Sequence, residues 1–267
     1  MMKIGFIGLG NMGGSLARLV AQDERYRSEL LLANRSRDKS EKIAAEVGGQ
    51  PVSNKEVFAQ ADVIFLGVKP AQFEDLLADY QDILEKRESL LLVSMAAGLP
   101  LERLEKMTSS HYRWIRIMPN TPVAVGEGVI TYALSQQANQ ADEDLLRELL
   151  SSAGLLVKLE EKQLDAATAL AGCGPAFVYL FIEALADAGV RAGLSRDVSL
   201  HLANQTLLGA AKLSQVSGQH PAQLKDQVCS PAGSTIAGVA SLEENAFRGT
   251  VMDAVQAAYK RTQELGK

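Results

Sequence analysis

The segment from Lys3 to Gly13 is the most informative part of the chain and reads Lys-Ile-Gly-Phe-Ile-Gly-Leu-Gly-Asn-Met-Gly. Its first five residues predict a short strand, and the apolar spacing from Met12 to Ala21 predicts a helix. Between them lies G-x-G-x-x-G, in which Gly8 permits a tight turn, Gly10 lets a pyrophosphate approach the backbone, and Gly13 allows close helix–strand packing. The helix N-terminus offers free N–H groups to an anion. This context indicates a dinucleotide site rather than an ordinary strand–turn–helix connection.

The end of the second predicted strand, Leu30–Ala33, indicates which dinucleotide binds. Sites that prefer NAD carry Asp or Glu about 20 residues further on, where the carboxylate bonds the ribose 2′-hydroxyl. This chain has Asn34-Arg35-Ser36-Arg37 there, and a guanidinium binds a 2′-phosphate that a carboxylate would repel. The sequence therefore predicts NADP(H) as the cofactor, with NAD(H) as a second donor. The alternative is that Arg35 and Arg37 are exposed charges at a helix start.

Two later loops follow predicted strands, at the position where ligands of such sheets bind. Val68-Lys69-Pro70-Ala71 follows the strand from Val63 to Val68, and Met95-Ala96-Ala97-Gly98 follows the strand from Leu90 to Met95. Their small residues leave room for ribose and nicotinamide. Lys69 either contacts cofactor oxygens or simply ends its strand.

The chain changes character near residue 160. Before it, predicted strands alternate with helices, which indicates an α/β fold with a parallel sheet covered on both faces. Beyond it, the pattern is helix after helix to the C-terminus. We therefore predict a Rossmann-type dinucleotide-binding domain over residues 1–160 and an all-helical domain over residues 161–267.

Composition restricts the class of protein. Of the 267 residues, 47% are hydrophobic and 22% are charged, which is ordinary globular usage. The net charge of −5 argues against nucleic acid or an anionic membrane as a partner. The longest uncharged apolar run, Ala166–Ile182, falls short of a bilayer span and is interrupted by Gly172-Cys173-Gly174-Pro175. We expect a cytoplasmic protein without a signal peptide, with two free thiols and no metal site.

The predicted helix from Ala176 to Ala188 is unusual because Phe177–Ile182 are consecutive apolar residues. A helix that is apolar all round is buried all round. A helical domain of about 100 residues has limited capacity to enclose such a helix. The pattern therefore predicts a subunit interface and a homo-oligomer.

A second candidate site is Ser230-Pro231-Ala232-Gly233-Ser234-Thr235-Ile236. Its small residues leave backbone N–H groups accessible, and a helix is predicted to begin near Ser234. Such a nest suits a carboxylate. Thr235 adds a hydroxyl that could donate or relay a proton, and its alternative role is that of a helix cap.

Taken together, these motifs resemble the pyrroline-5-carboxylate reductase family over essentially the whole chain. The first of them is shared with many dehydrogenases, whereas the C-terminal one is highly specific. The segments that carry the resemblance are Phe6–Gly13, Val68–Pro70, Met118-Pro119-Asn120-Thr121-Pro122, Gly172-Cys173-Gly174-Pro175-Ala176-Phe177, Asp187–Gly189, His220-Pro221 with Leu224–Asp226, and Ser230–Gly238 followed by Leu242-Glu243.

The resemblance implies an enzyme of the last step of proline biosynthesis, which transfers a hydride from NADPH to the imine carbon of pyrroline-5-carboxylate. It implies a helical domain that intertwines with its mate in a dimer, and dimers that assemble into a ring. Gly233, Ser234 and Thr235 would hold the substrate carboxylate, with Thr235 as positioning group and proton relay. The imine could instead bind already protonated. The residues implied at the NADP(H) site are Gly8, Leu9, Gly10, Asn11, Met12, Asn34, Arg35, Ser36, Asn54, Val68, Lys69, Pro70, Met95, Ala96 and Ala97.

Two positions depart from the family pattern. Gly218 stands where some relatives have an acidic side chain near the substrate, and glycine cannot make that contact. Ala232 stands where relatives often have glycine, which we expect to be tolerated if its φ is negative.

Three alternatives remain open from the sequence. A β-hydroxyacid dehydrogenase shares the glycine motif but uses a helical lysine, and the stretch from Asp165 to Asp187 contains none. A non-catalytic NADP(H)-binding regulator would have no need of the carboxylate nest. A purely structural oligomerisation protein would have no use for the glycine motif.

Overall fold

A computed structural model describes residues 2–108 and 112–265 and shows an eight-stranded sheet. The strands lie in the order β3-β2-β1-β4-β5-β6-β7-β8, so the first six form the doubly wound arrangement of a dinucleotide-binding domain. Their bounds are β1 (Ile4–Ile7), β2 (Leu30–Ala33), β3 (Gln50–Pro51), β4 (Val63–Leu66), β5 (Leu91–Ser94), β6 (Arg113–Pro119), β7 (Gly128–Leu134) and β8 (Gly154–Lys158).

The prediction of a parallel sheet is correct for six of the seven strand pairs and wrong for one. β6 and β7 pair antiparallel, with Met118 opposite Thr131. They are joined by a short connection that contains one 3₁₀ segment, Thr121–Val125. Such a connection is too short for the crossover that parallel neighbours require. The two-residue strand β3 was not predicted, because so short a segment carries no periodicity.

Helices cover both faces of the sheet, as predicted. The sequence also predicts one helix over Phe73–Leu84 and a capping box at Ser53–Glu56. The helix is divided into two at Tyr80, and the capping box is present. The backbone N–H and the hydroxyl of Ser53 donate to the Glu56 carboxylate and lower its pKa. The helices of this part are α1 (Asn11–Val20), α2 (Glu24–Arg27), α3 (Arg37–Val47), α4 (Asn54–Gln60), α5 (Phe73–Asp79), α6 (Gln81–Leu84), α7 (Leu101–Lys106), α8 (Gln140–Leu149) and α9 (Leu164–Ala167).

The core is divided by the sheet into two apolar layers. One contains Phe6 stacked on Phe65, with ring centroids 4.7 Å apart. The other contains the fully buried Trp114 and Phe58. Two layers of buried apolar residues make the sheet a rigid platform for the loops at its edge.

The rest of the chain consists of helices and turns. They are α10 (Gly174–Arg191), α11 (Arg196–Ser217), α12 (Pro221–Gln227), α13 (Ser234–Glu244) and α14 (Phe247–Leu265). The chain divides into two compact units. One comprises the chain up to Cys173 together with the stretch from Ala258 onward, and the other comprises Gly174–Ala257.

The helix predicted to be buried on all sides is not buried by its own chain. In α10, Tyr179 and Leu180 are 59% and 66% exposed, and Ala186 is the buried residue. By length and composition alone, the helical stretch Glu161–Arg191 could also cross a membrane, contrary to the expectation from its apolar run. A helix that packs against another protein can have the same length and apolar composition. The exposed apolar surface therefore indicates a partner without identifying it.

Candidate active site

The turn after β1 has the geometry that the glycine motif predicts. Gly8 has φ +90°, and a Cβ there would lie 2.7 Å from the carbonyl carbon of Gly67. Its N–H donates to the Ala33 carbonyl at 3.0 Å. Only glycine adopts this conformation without strain in such a confined space, so the residue type is fixed by the backbones of the neighbouring strands.

The other two glycines of the motif differ sharply in their surroundings. A Cβ on Gly13 would lie 2.2 Å from the Gly8 carbonyl oxygen, so α1 packs directly on the turn. Apart from Leu9 and Asn11, its neighbours in the chain, no described residue comes within 4 Å of a Cβ on Gly10, which is the N-cap of α1. The first turn of α1 carries no acidic residue. Uncapped N–H groups and an open approach are what a pyrophosphate requires.

Gly67 belongs to the same turn and was missed by the sequence analysis. A Cβ there would lie 2.5 Å from the Gly8 carbonyl oxygen and 3.0 Å from Cε of Met95. The residue thus brings the ends of β1, β4 and β5 together. The available signal was a glycine directly after a buried strand, which indicates a close approach of backbone.

Asn34 joins the glycine turn to the end of β2. Its Oδ1 accepts a hydrogen bond from the Leu9 N–H at 3.0 Å, and its Nδ2 donates to the Ser36 carbonyl at 3.2 Å. The amide therefore uses both of its ends to hold two segments of the candidate site in place. Asn34 occupies the place of the carboxylate in NAD-preferring sites, but here its oxygen is already bonded to the loop.

The two arginines after Asn34 differ in their partners. Arg37 forms an ion pair with Glu41 at 2.9 Å. Arg35 is exposed and makes no ion pair within residues 2–108 and 112–265. Ser36 is the N-cap of α3, and its side chain makes no capping bond. Arg35 and the Ser36 hydroxyl are thus the groups at this turn that remain available to a phosphate.

The remaining predicted cofactor residues lie along the same edge of the sheet. β3, β2, β1, β4 and β5 are neighbouring parallel strands, so the residues that follow them share one edge. Val68 is half-buried, Lys69 and Pro70 are exposed, and Ala96 is buried beside the half-buried Met95 and Ala97. Asn54, the first residue of α4, is half-buried.

In the second unit, α13 begins at the predicted residue. Gly233 is the N-cap, and Ser234 and Thr235 are the first two helical residues. The alternative role of Thr235 as the cap is therefore wrong, and its exposed hydroxyl is available to a ligand. A Cβ on Gly233 would lie 2.3 Å from Oγ of Ser230, so a larger residue would require the Ser230 hydroxyl to move.

The two departures from the family pattern have backbone explanations. Gly218 has φ +63° and is the left-handed C-cap that ends α11, a conformation that glycine favours. Ala232 has φ +55°, so the negative φ on which its tolerance depended is absent. An alanine in this region carries roughly 1 kcal/mol of strain relative to glycine.

Known proteins resemble this chain along its whole length. A model described as pyrroline-5-carboxylate reductase dimerisation matches residues 161–265, and one described as NADP oxidoreductase coenzyme F420-dependent matches residues 3–98. A pyrroline-5-carboxylate reductase of Pisum sativum is 45% identical over 98% of this chain and 95% of its own length. This chain belongs to the pyrroline-5-carboxylate reductase family. Because relatives that match along the whole chain are reductases of this family, the alternative of a β-hydroxyacid dehydrogenase has no support.

Solved structures of reductases from this family share the fold along the whole chain. The Plasmodium falciparum pyrroline carboxylate reductase, solved with NADP bound, is 38% identical and superposes with a TM-score of 0.88, covering 100% of this chain and 98% of that one. The Coxiella burnetii reductase is 31% identical with a TM-score of 0.91, covering 100% and 99%. The predicted combination of an N-terminal Rossmann-type domain and a helical C-terminal region is therefore confirmed.

Proposed function

We propose that this protein reduces L-1-pyrroline-5-carboxylate to L-proline, the last step of proline biosynthesis, with NADPH as the preferred donor and NADH as a second one. The observation that carries the proposal is the open glycine turn at the end of β1, in a chain that matches reductases of this family along its whole length. An enzyme of this class is an oxidoreductase that acts on a C=N bond.

The residues of the chain fit the dinucleotide. Gly10 is the N-cap of α1, the space around its Cβ position is open, and no side chain caps the first N–H groups of the helix. In the proposed site, Gly8 to Met12 hold the pyrophosphate, and Arg35 and Ser36 bind the 2′-phosphate. Asn54, Val68–Pro70 and Met95–Ala97 line the ribose and nicotinamide. Arg35 is supported by its lack of an ion pair in the described part of the chain.

The residues of the second unit are proposed to hold the substrate. Gly233, Ser234 and Thr235 begin α13, whose first N–H groups and positive dipole end suit a carboxylate. NADPH, when bound, supplies a hydride to the imine carbon, while the imine nitrogen gains one proton to become the amine. Thr235 positions the substrate and relays that proton, unless the imine arrives already protonated.

The remaining proposals concern the roles of the two domains, the oligomeric state and the location of the protein. We propose that residues 1–160 bind the dinucleotide and residues 161–267 bind substrate and dimerise, with dimers assembling into a ring. The exposed apolar residues of α10 support a second copy as its partner rather than a membrane. The net charge of −5 favours neither nucleic acid nor an anionic membrane, and we propose a cytoplasmic location.

The test is steady-state oxidation of NADPH with racemic pyrroline-5-carboxylate for wild type, Thr235→Ser, Thr235→Val and Thr235→Ala. We expect the valine and alanine variants to lose about 10- to 100-fold in kcat/KM, because both lack the hydroxyl, and the serine variant to retain most of it. NADH and a 3-hydroxy acid with NADP⁺ serve as control substrates. A wild-type enzyme that binds NADPH but does not reduce the imine would overturn the proposal and favour a regulator.

Equal turnover in all four proteins would keep the reaction but remove Thr235 from it. Thr250→Ala is the matched control, because Thr250 is also an exposed helical threonine and its hydroxyl donates to the carbonyl of Ala246, the residue that precedes α14. We expect that variant to reduce the imine at the wild-type rate.

A further inference from the structure

Asn120 stands in the motif Met118-Pro119-Asn120-Thr121-Pro122, to which the proposed reaction gives no role. It follows β6, which runs parallel to β5. It therefore lies at the same sheet edge as Met95–Ala97, one strand farther from β1. Asn120 is only 8% exposed. A buried amide costs free energy unless its donor and acceptor are bonded, so its partners decide what it does.

The amide of Asn120 joins two distant segments of the chain. Its Oδ1 accepts from the Val129 N–H at 2.8 Å, and its backbone N–H donates to the Val129 carbonyl at 3.1 Å. These bonds close the end of the β6–β7 pair. Its Nδ2 donates to the Ala171 carbonyl at 3.0 Å, a residue 51 positions later.

Ala171 lies in a single π-helical turn, Thr168–Gly172, which follows α9. The turn is marked by a bond from the Cys173 N–H to the Thr168 carbonyl at 3.0 Å. In a continuing α-helix, the Ala171 carbonyl would accept from the N–H of residue 175. That residue is Pro175, which has no N–H. Asn120 therefore supplies the donor that the helix itself lacks.

The break in the helix lies where the first compact unit ends, at Cys173, and α10 begins at Gly174. Isolated π-turns are frequent at functional sites. We propose that Asn120 is a positioning residue for the reduction, which fixes the Thr168–Cys173 turn beside the end of β6. This inference rests on the proposed function, because hydride transfer requires reacting atoms to be aligned closely, and a displacement of about 1 Å can cost about 100-fold in rate.

The test compares Asn120→Asp, Asn120→Ala and the double variant Asn120→Ala/Pro175→Ala. Asn120→Asp keeps an acceptor for Val129 but removes the donor to Ala171. We expect both single variants to lose about 10- to 100-fold in kcat, while the Kd for NADPH stays within about twofold because the Asn120 side chain bonds Val129 and Ala171, neither of which is proposed to bind the cofactor. Pro175→Ala restores a backbone N–H for the Ala171 carbonyl, so the double variant recovers most of the lost kcat.

The matched control is Asn139→Ala. Asn139 also uses its Oδ1 to accept backbone N–H groups, from Ala141 at 2.9 Å and Asp142 at 3.3 Å, but it caps α8. We expect this variant to have a lower Tm and an unchanged kcat. Circular dichroism and NADPH binding establish that each protein is folded. Should Asn120→Ala not fold, Asn120→Asp is compared with and without Pro175→Ala.

Three results would overturn the inference: Asn120 variants that lose only thermal stability, a Kd for NADPH that rises in parallel with the loss of kcat, or no recovery in the double variant. Failure of the proposed function has a different signature. There, the wild-type enzyme itself would bind NADPH without reducing pyrroline-5-carboxylate, and Asn120 would have no reduction to position.

Discussion

At the scale of single residues, the proposed preference for NADPH rests on which polar groups at the end of β2 remain without a partner. Asn34 is bonded at both ends of its amide, to Leu9 and to Ser36. Arg37 is paired with Glu41. Arg35 is therefore the cation at this turn that a 2′-phosphate can recruit without breaking an existing ion pair among the described residues. The motif alone did not distinguish the two arginines, because residue type does not show which of them is paired; the family resemblance implied Arg35 at the site and not Arg37.

This difference makes Arg35 and Arg37 a matched pair for mutation. We expect Arg35→Ala to raise the KM for NADPH by about 10- to 100-fold, since a charged hydrogen bond is worth about 1.5–3 kcal/mol. The KM for NADH, which lacks the 2′-phosphate, should change little. Arg37→Ala should shift either KM by no more than about twofold, because an exposed ion pair contributes little. Equal effects of the two substitutions on NADPH would contradict the assignment.

At the scale of elements, the unit β1–turn–α1 combines a packing role and a binding role in neighbouring glycines. The space around Gly13 is filled by the Gly8 carbonyl, whereas the space around Gly10 is open. Identical substitutions at the two positions therefore have different physical consequences. A substitution at Gly13 affects the stability of the folded state, and a substitution at Gly10 affects binding of the dinucleotide.

We expect Gly13→Ala to lower the free energy of unfolding by about 2 kcal/mol or more, because the new methyl overlaps backbone. Gly10→Ala should change that free energy by less than about 1 kcal/mol, as for an exposed N-cap position. The same change should raise the Kd for NADPH at least about tenfold, since the methyl occupies the approach to the α1 N–H groups. Denaturant unfolding and fluorescence titration with NADPH measure the two effects. A destabilised Gly10→Ala protein would show that the space is not open.

At the scale of the whole molecule, the single chain leaves apolar side chains of α10 in water. Val178, Tyr179 and Leu180 are each at least 46% exposed. Such a surface is typical of an interface between subunits. The match of residues 161–265 to a dimerisation model agrees with this interpretation.

We expect Leu180→Asp to shift the protein from dimer toward monomer, because a charge would be buried in the interface at a cost of about 2–4 kcal/mol. Light scattering after size-exclusion chromatography measures the mass. Leu155→Asp is the control, since Leu155 is 55% exposed on the edge strand β8, in the sheet rather than in the helical region. An unchanged mass for Leu180→Asp would place the interface elsewhere.

Much of the architecture could be predicted because it depends on neighbours in the chain. The strand–turn–helix at Lys3–Val20, the capping box at Ser53 and the start of α13 at Ser234 each follow from a few consecutive residues. Contacts between residues that are far apart in the chain were harder to predict from the sequence. The direction of the β6–β7 pair was predicted wrongly because hydrophobic runs do not carry strand direction, and Gly67 was missed because its neighbour Gly8 lies on another strand.

Residue types and short spacings were sufficient to establish a glycine turn for a dinucleotide, the lack of a carboxylate after β2, and an apolar helix that needs a partner. Local sterics and charge convert such properties directly into structure. Three-dimensional packing was needed to show that Arg35 is unpaired in the described chain, that Ala232 has a positive φ, and that Asn120 bonds the Ala171 carbonyl. Each of these depends on where the sheet order and the turns place the backbone. A hydrogen bond across 51 positions exists only because the strands and the π-turn bring both groups to one edge.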